Sequence, residues 1–292
     1  MKKSIIVGIL LIGFVFIYLV VKQSLFGQVT VDEAKKIPID EYQILSFELN
    51  AEDIEILPHS QNDLVIKLDG KISKGLEDNY TLKVEGKGER LKVSYLLKNK
   101  GIQFGNEINV AAQVLIPEKV YSELEIQTSS GDIDVQGITA ENLAIQSSSG
   151  DVIIKDSQSE DSVLIQSSSG DINLEHNSFK KFSIKTSSGL IKANGLLAQS
   201  GQIHSKSGKV AMDLAEIMSN LDIVTSSGDV EILLEKDPES LQFDFETSSG
   251  EQKIGLPKLL YKDKGKHHAI GIIGTGENII NIKTSSGDLK VD

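Results

Sequence analysis

The chain has 292 residues, a net charge of −12, 25 glycines and no cysteine. This length allows one or two domains with a sizeable hydrophobic core. The absence of cysteine excludes disulfide bonds, thiolate metal sites and a cysteine nucleophile. The acidic balance argues against a nucleic-acid partner, because phosphate binding needs a basic surface.

The first predicted element is a transmembrane helix over residues 1–22. An uncharged, mostly apolar run of 18 residues, from Ser4 to Val21, follows two lysines and precedes a third. It would form about 27 Å of helix, close to the ~30 Å hydrocarbon core of a bilayer. A cleaved signal peptide is the alternative, but its apolar region is usually about 7–15 residues and ends in small residues that are absent here. We therefore predict a single-pass anchor in the cell membrane, with a cytoplasmic N-terminus and an extracytoplasmic C-terminal domain.

A polar linker is predicted over residues 23–40. It contains a short helical segment from Val31 to Lys36, which Pro38 would end. Residues 41–116 then alternate between apolar and polar side chains in short runs separated by Asn, Asp, Gly and Pro, and this pattern predicts strands. No convincing helical period follows residue 40.

The second half of the chain repeats itself. Eight Ser-Gly pairs, from Gly131 to Gly287, follow one another at intervals of 19 to 22 residues with one interval of 37. Apolar residues stand mostly five and seven positions before each Gly, and two and four positions after it, which predicts two short strands joined by a polar corner. One such unit cannot bury its apolar face, whereas stacked units can. Residues 117–292 are therefore predicted to form an all-β parallel β-helix, or β-solenoid, with rungs of about 19–22 residues, and residues 41–116 its strand-rich N-terminal part.

The corners are predicted to be structural. Glycine suits a corner with positive φ, and the Thr or Ser three residues earlier has the inward parity of its strand, where its hydroxyl needs a backbone partner. A serine nucleophile needs a general base, no histidine is positioned to serve these serines, and a catalytic site would not need eight of them. The predicted corner pairs are Ser130, Gly131, Ser149, Gly150, Ser169, Gly170, Ser188, Gly189, Ser207, Gly208, Ser227, Gly228, Ser249, Gly250, Ser286 and Gly287.

The residue after the corner glycine is acidic in six of the eight repeats. We expect each carboxylate to accept hydrogen bonds from the amides of its own corner. A weak calcium site along Asp132, Asp151 and Asp171 is the alternative. No histidine has zinc-ligand spacing and no cofactor motif is present, so the sequence predicts no catalytic residue, no cofactor and no other metal site.

Three places depart from the repeat. The rung with Gly201 at an inward position and lysines at its corner is predicted to be the weakest. The segment from Pro257 to Asn278 is an insertion, and insertions in solenoids often bind partners; its Gly271–Gly276 stretch is predicted to be a tight hairpin connection. The last rung ends at Asp292 and is expected to leave an open strand edge.

The motif of residues 124–135, LEIQTSSGDIDV, and its variant in residues 274–289 give the chain a family resemblance. Together with the short N-terminal anchor, these repeats resemble the bacterial LiaG-like family, whose domain is described as a candidate adhesin, from about Ser46 to Val291. The resemblance implies a cell-envelope protein linked to envelope stress in Gram-positive bacteria. It brings no catalytic residues.

We predict a binding or scaffolding role, not catalysis, with an envelope protein or a wall component as the partner. A glycan-active enzyme, a polysaccharide lyase or hydrolase on a parallel β-helix, is one alternative. The outward Asp134, Lys155 and Glu175 do not cluster with any arginine in the sequence pattern, which counts against it. An accessory regulator of a membrane signalling system is the second alternative.

Overall fold

The computed structural model describes residues 27–77, 80–97 and 107–292. The predicted membrane anchor, residues 1–22, lies outside the described residues. Within the described ranges, no helix has the length and apolar character needed to cross a bilayer.

The described residues form 25 strands and one 3-10 turn, Lys74–Leu76, with no α-helix. The strands in chain order are β1 (Gln28–Pro38), β2 (Ile44–Glu48), β3 (Asp53–His59), β4 (Asp63–Ser73), β5 (Tyr80–Lys87), β6 (Arg90–Leu97), β7 (Ile108–Pro117), β8 (Tyr121–Gln127), β9 (Ile133–Gln136), β10 (Thr139–Gln146), β11 (Val152–Lys155), β12 (Gln158–Gln166), β13 (Ile172–Glu175), β14 (Ser178–Thr186), β15 (Ile191–Asn194), β16 (Leu197–Ser207), β17 (Val210–Leu214), β18 (Asn220–Ser227), β19 (Val230–Leu234), β20 (Leu241–Ser249), β21 (Gln252–Ile254), β22 (Leu260–Lys264), β23 (His268–Ile273), β24 (Asn278–Ser286) and β25 (Leu289–Val291).

The strands form two sheets that enclose one core. Sheet A has 12 strands in the order β1-β4-β7-β3-β9-β11-β13-β15-β17-β19-β25-β21. Sheet B has 13 strands in the order β22-β23-β20-β24-β18-β16-β14-β12-β10-β8-β2-β6-β5. In the repeat region each rung contributes one strand to sheet B, turns the Ser-Gly corner, and contributes one strand to sheet A. Most neighbours are parallel, so the prediction of an all-β fold with stacked parallel strands is confirmed.

Alternation of side chains explains why each rung forms two strands. In the rung of β12 and β13, Val163 and Ile165 before the corner and Ile172 and Leu174 after it are at most 1% exposed. Leu164, between the first two, is 38% exposed on the outer face. The same positions are in register from rung to rung, so the apolar side chains form continuous inner columns that single rungs could not bury.

The helical segment predicted from Val31 to Lys36 is wrong, and Gln28–Pro38 of the predicted linker form a strand. These residues lie in β1, which pairs with β4 in antiparallel register over its full length. The Asp-Glu-Ala-Lys-Lys composition favours a helix in isolation. Val29, Val31 and Ile37, at period two, instead pack against the hydrophobic core, and tertiary burial overrides that local preference.

The rungs do not follow the chain order at either end of the solenoid. The rung of β24 and β25 lies between the rung of β18 and β19 and that of β20 and β21. The rung of β6 and β7 likewise lies outside that of β2 and β3. The predicted open edge at the last rung is therefore wrong, because β25 pairs with strands on both sides. The edge strands of the described sheets are β1 and β21 in sheet A, and β5 and β22 in sheet B.

The insertion from Pro257 to Asn278 forms part of the C-terminal end of the solenoid. Strands β22 and β23 form an antiparallel hairpin that pairs with β20. The Gly271–Gly276 stretch is not the predicted hairpin connection, because β23 and β24 lie on opposite sides of β20. It crosses the end of β20 so closely that a Cβ on Gly274 would overlap the Glu239 carbonyl oxygen.

Gly201 does not leave a void at its inward position. A Cβ at this glycine would lie less than 3.0 Å from three atoms of the Phe182 ring, in the neighbouring strand. Phe182 pairs with Gly201 in register and is 4% exposed. The large ring of one rung thus fills the space that a side chain of the next would occupy, which removes the reason to regard this rung as the weakest.

Candidate functional site

The corner glycines form a column in which each rung touches the one beneath it. A Cβ on Gly150 would overlap the carbonyl oxygen of Gly131, and one on Gly170 would overlap that of Gly150. The same relation continues along the corner to Gly287 and Gly250. Of these, Gly131, Gly150 and Gly170 lack a positive φ. The expected positive φ occurs at Gly189, Gly208 and Gly250, whereas at Gly131, Gly150 and Gly170 close backbone approach between rungs is what requires glycine.

The acidic side chains after the glycines connect successive rungs. Oδ1 of Asp132 accepts the amide N–H of Asp151 at 2.8 Å, and Oδ1 of Asp151 accepts that of Asp171 at 2.8 Å. Asp53 begins this ladder, and the same bond recurs between Asp229 and the amide of Asp288. The expectation that each carboxylate accepts hydrogen bonds from its own corner is wrong, because its oxygen accepts the backbone amide of the next rung. Repulsion between neighbouring carboxylates is thereby offset by charge-assisted hydrogen bonds.

The structure places the three calcium candidates, Asp132, Asp151 and Asp171, in register along one edge of the solenoid. One oxygen of each accepts a backbone amide. The residues that the structure describes contain no group of three or more His, Asp or Glu side chains positioned to hold a metal.

The hydroxyl groups at the inward corner position are buried, as their parity predicts. Thr128 accepts the Gly131 amide at 3.1 Å, and Ser147 donates to the Gly150 carbonyl at 3.0 Å. The paired serines of each corner, by contrast, are exposed with few exceptions. The corner thus presents a row of hydroxyls and carboxylates to solvent while it holds the rungs together.

A different surface, the outer face of sheet B, contains three adjoining hollows. The first, of about 210 Å³, extends from Ser46 on β2 to Gln166 on β12. The second and third, of about 400 Å³ and about 580 Å³, cover β12, β14, β16 and β18. Leu164 lines the first and second hollows, and Gln166 lines the first and third. We name the three hollows together the sheet B trough; it crosses seven strands, about 29 Å at ordinary strand spacing.

The sequence gives the trough a polar floor. Ser183 on β14 pairs with Gln202 on β16, and Gln202 pairs with Asp222 on β18. Small or unbranched polar side chains at these outward positions leave the sheet surface open. Leu164 and Val224, 38% and 40% exposed, are apolar members of the same outer face. The trough therefore offers hydroxyl and amide groups beside apolar surface.

The charges in the trough are not distributed evenly. The second and third hollows are lined by Lys181, Lys185, Lys206 and His204, and by no acidic side chain. Lys185 lies directly opposite His204 on the neighbouring strand. All three lysines are exposed. In a chain with 12 excess negative charges, this half of the trough is basic.

Several other acidic side chains on the outer face of sheet B have partners. Both carboxylate oxygens of Asp222 accept amide hydrogen bonds, from Asn220 at 2.7 Å and Asn281 at 2.8 Å. In the first hollow, Glu125 is ion-paired with Arg90 and Glu48 with Lys92. Lys283 pairs with Glu246 at 3.3 Å further toward the C-terminal end. The lysines of the basic half have no carboxylate within 4 Å among the residues described; Asp222, beside Gln202, is bonded to neutral amides and keeps its charge, so the three lysines outnumber it.

Sequence reasoning missed these residues because it considered the net charge of the whole chain, which is acidic. A signal was nevertheless present: the segment from His176 to Met212 contains six lysines and no acidic residue. Outward parity in β14 and β16 selects Lys181, Lys185 and Lys206 from that segment.

The outer face of sheet A has its own charges, and several of them are paired. Lys155 contacts Glu175 at 4.0 Å, and burial raises the pKa of the neighbouring Asp134. Hydrogen bonds from Lys209 and Lys290 lower the pKa of Glu231 to about 2. Arg90, the only arginine of the chain, lies on sheet B. Asp134, Lys155 and Glu175 therefore have no arginine beside them.

Parallel rungs stacked on a glycine corner, with apolar columns between two sheets, define the chain as a β-solenoid protein. Residues 42–292 match the family described as Toastrack DUF4097. The chain belongs to this family. No curated protein matches it at a significant level.

Several solved structures are similar to the chain. A candidate adhesin from Bacteroides fragilis has a TM-score of 0.56 and 13% identity, over 90% of this chain and 97% of that one. A candidate adhesin and a candidate lipid-binding protein, both from Parabacteroides distasonis, have TM-scores of 0.48 and 0.47. Their identities are 11% and 21%, over 90% and 89% of this chain and 97% and 96% of theirs. At these identities, the likeness to the Bacteroides fragilis protein shows the fold and not the ligand.

Proposed function

We propose that the chain is a non-catalytic binding protein of the cell envelope that holds an extended, linear ligand in the sheet B trough. The observation that carries this proposal is the continuity of the three hollows across seven strands, through the shared Leu164 and Gln166. A shallow trough about 29 Å long suits a chain-like ligand that lies along the solenoid axis. Its serine, glutamine and asparagine side chains suit a hydroxyl-rich ligand such as a glycan.

The membrane anchor over residues 1–22 is part of the proposal. Gln28 begins β1, which is an edge strand of sheet A. The five residues between Lys22 and Gln28 reach at most about 17 Å. The N-terminal end of the solenoid would then face the membrane, and the trough would extend away from it. An envelope-stress role, as in the LiaG-like family that the motifs resemble, fits this placement.

A glycan-cleaving enzyme is the second candidate. The observation that favours it is the position of Arg90 beside Glu123 and Glu125, at the N-terminal end of the trough. Both carboxylates are ion-paired to the same guanidinium, which leaves neither free to act as the opposed acid and nucleophile of a glycosidase. We therefore prefer binding without cleavage.

The accessory-regulator alternative separates the anchor from the solenoid. Cells that carry only residues 1–27 would retain normal envelope-stress signalling if the anchor alone regulates. Loss of signalling in these cells, restored by the full chain, would assign the function to the solenoid.

The binding proposal is tested by affinity electrophoresis of the full chain through gels that contain soluble linear glycans, neutral or acidic. At least one glycan is expected to retard the wild-type protein. Ser183→Trp, in the floor of the trough, is expected to abolish retardation because the indole would project into both the second and the third hollow, which Ser183 lines. Ala211→Trp is the matched control, since it adds the same bulk to an outward position on sheet A.

Two results would count against the proposal. Absence of retardation by every glycan would remove the proposed ligand class, and equal effects of the two tryptophan variants would remove the trough as the site. The same incubations are assayed for new reducing or unsaturated sugar ends. Their appearance would favour the enzyme instead.

A further inference from the structure

We infer that the ligand of the trough is a linear acidic glycan, and that Lys181, Lys185 and Lys206 bind its anionic groups. This inference rests on the proposed function and adds the chemical class of the ligand. The two hollows that these lysines line have no acidic side chain. Cations without a protein partner in a concave, polar surface are available to carboxylate or phosphate groups.

The positions of the lysines suit a chain-like anion. Lys181 and Lys185 both face outward on β14, four residues apart, which is about 13 Å along the strand. Lys206 lies one rung further along the axis, two residues beyond His204, which is opposite Lys185. Together they form a basic area that spans the width of the trough and more than one rung. A polymer with repeated anionic groups could engage all three, whereas one small anion could not.

The corner beside these lysines also departs from the repeat by a loss of negative charge and a gain of lysine. The rungs that contribute β14 and β16 are the two in which the residue after the corner glycine is not acidic, but Leu190 and Lys209. The second of them also has Lys206 where the other seven corners have serine. Lys209 itself pairs with Glu231. Loss of the carboxylates from the corner nearest to the basic area reduces the repulsion that an anionic ligand would meet there.

The surface chemistry favours a glycan over other polyanions. The described outward positions of β12, β14, β16 and β18 contain no Phe, Tyr or Trp, so bases of single-stranded nucleic acid would find no stacking platform. The face is concave and has Ser183, Ser200 and Gln202 at its centre. Its exposed apolar side chains, Leu164 and Val224, line the hollows instead of projecting from them, so they are not placed to insert into a lipid surface. Hydroxyls and amides beside cations match the alternating hydroxyl and anionic groups of an acidic sugar chain.

The test uses the full chain in affinity electrophoresis with three polymers at two salt concentrations. Polygalacturonate supplies carboxylates, phosphorylated dextran supplies phosphates, and unmodified dextran is the neutral polymer. At least one anionic polymer is expected to retard the protein, and high salt is expected to weaken the effect. Anionic phospholipid vesicles and single-stranded DNA are tested in parallel.

Two triple variants remove the same charge from different faces. Lys181→Gln with Lys185→Gln and Lys206→Gln is expected to weaken binding by about tenfold or more. Lys71→Gln with Lys192→Gln and Lys253→Gln changes three exposed lysines of sheet A and is expected to weaken it by about twofold or less. Equal urea midpoints would show that both variants are folded.

The outcomes separate the inference from the proposed function. Retention of dextran that neither salt nor the first triple variant changes would overturn the acidic ligand and leave the binding proposal intact. Equal losses in both variants would overturn the site. Tighter binding to vesicles or DNA than to either anionic glycan, with the same lysine dependence, would overturn the ligand class. Failure of all three glycans to bind would refute both proposals.

Discussion

Replacement of Gly150 by alanine tests why the corners require glycine. The new Cβ would overlap the Gly131 carbonyl oxygen, so the two rungs would have to separate by about 1 Å or more at this corner. Such a displacement breaks hydrogen bonds of ordinary length, each worth about 1 kcal/mol net. Three bonds join the rungs here, and their loss predicts destabilisation by about 3 kcal/mol. They are Ser149 N–H to Ser129 O at 3.1 Å, Asp151 N–H to Asp132 Oδ1 at 2.8 Å and Ile133 N–H to Asp151 O at 2.8 Å.

Gly88 provides the matched control. It has a φ of 57°, but no atom lies within 4 Å of the position its Cβ would take. Alanine there meets only the left-handed backbone cost of about 1–2 kcal/mol. Urea unfolding of the full chain measures both variants against wild type. If Gly88→Ala is as destabilising as Gly150→Ala or more so, backbone conformation rather than contact between rungs explains the glycines, and the reasoning above is wrong.

Three further predictions concern packing and charge. Gly201→Ala is expected to lower the free energy of unfolding by about 2 kcal/mol, because the added methyl group overpacks the core. Adding Phe182→Leu to this variant is expected to give a coupling of at least about 1 kcal/mol in a double-mutant cycle. Strictly additive effects would contradict the packing described. Because the lowered pKa of Glu231 stabilises the folded state above pH 4.5 and is lost toward pH 2, Glu231→Gln is expected to show a smaller fall of Tm over that range than wild type. Millimolar Ca²⁺ is expected to leave Tm unchanged, since Oδ1 of Asp151 already accepts an amide; a rise that Asp151→Asn abolishes would identify a calcium site.

The repeat region was predictable because the sequence of each rung contains the pattern that specifies its strands and its corner. Apolar residues at period two and a glycine at constant spacing define the strands, their inward faces and their register. The reason for the glycine was harder to obtain. Whether Gly150 needs a positive φ or a close neighbour depends on the rung beneath it, which local sequence does not reveal.

The ends of the solenoid were not predictable from the same pattern. The residues of β24 and β25 have the periodicity of any rung, so nothing in them specifies that they lie between two earlier rungs. Val31 to Lys36 shows the opposite problem. Its composition favours a helix, and only contact with β4 and the core determines that it is a strand.

The candidate site depends both on the local sequence and on the register between neighbouring strands. Lys181, Lys185 and Lys206 are separated by up to 25 residues in the chain, and only the register of β14 with β16 brings them onto one face. The absence of acidic residues between His176 and Met212 is visible in the sequence and was the available signal. That signal indicates a basic segment, but not which of its six lysines face the trough.

The order of the rungs also constrains how such a protein can change length over evolution. Tandem duplication copies a segment next to itself, and the copy fits only where neighbours in the chain are neighbours in space. From β8 to β19 every rung meets this condition. At either end, a duplicated rung would have to displace one already held from both sides. The number of rungs can therefore vary in the middle of the molecule, whereas the number of rungs at the two ends, where the order departs from the chain order, is expected to stay constant.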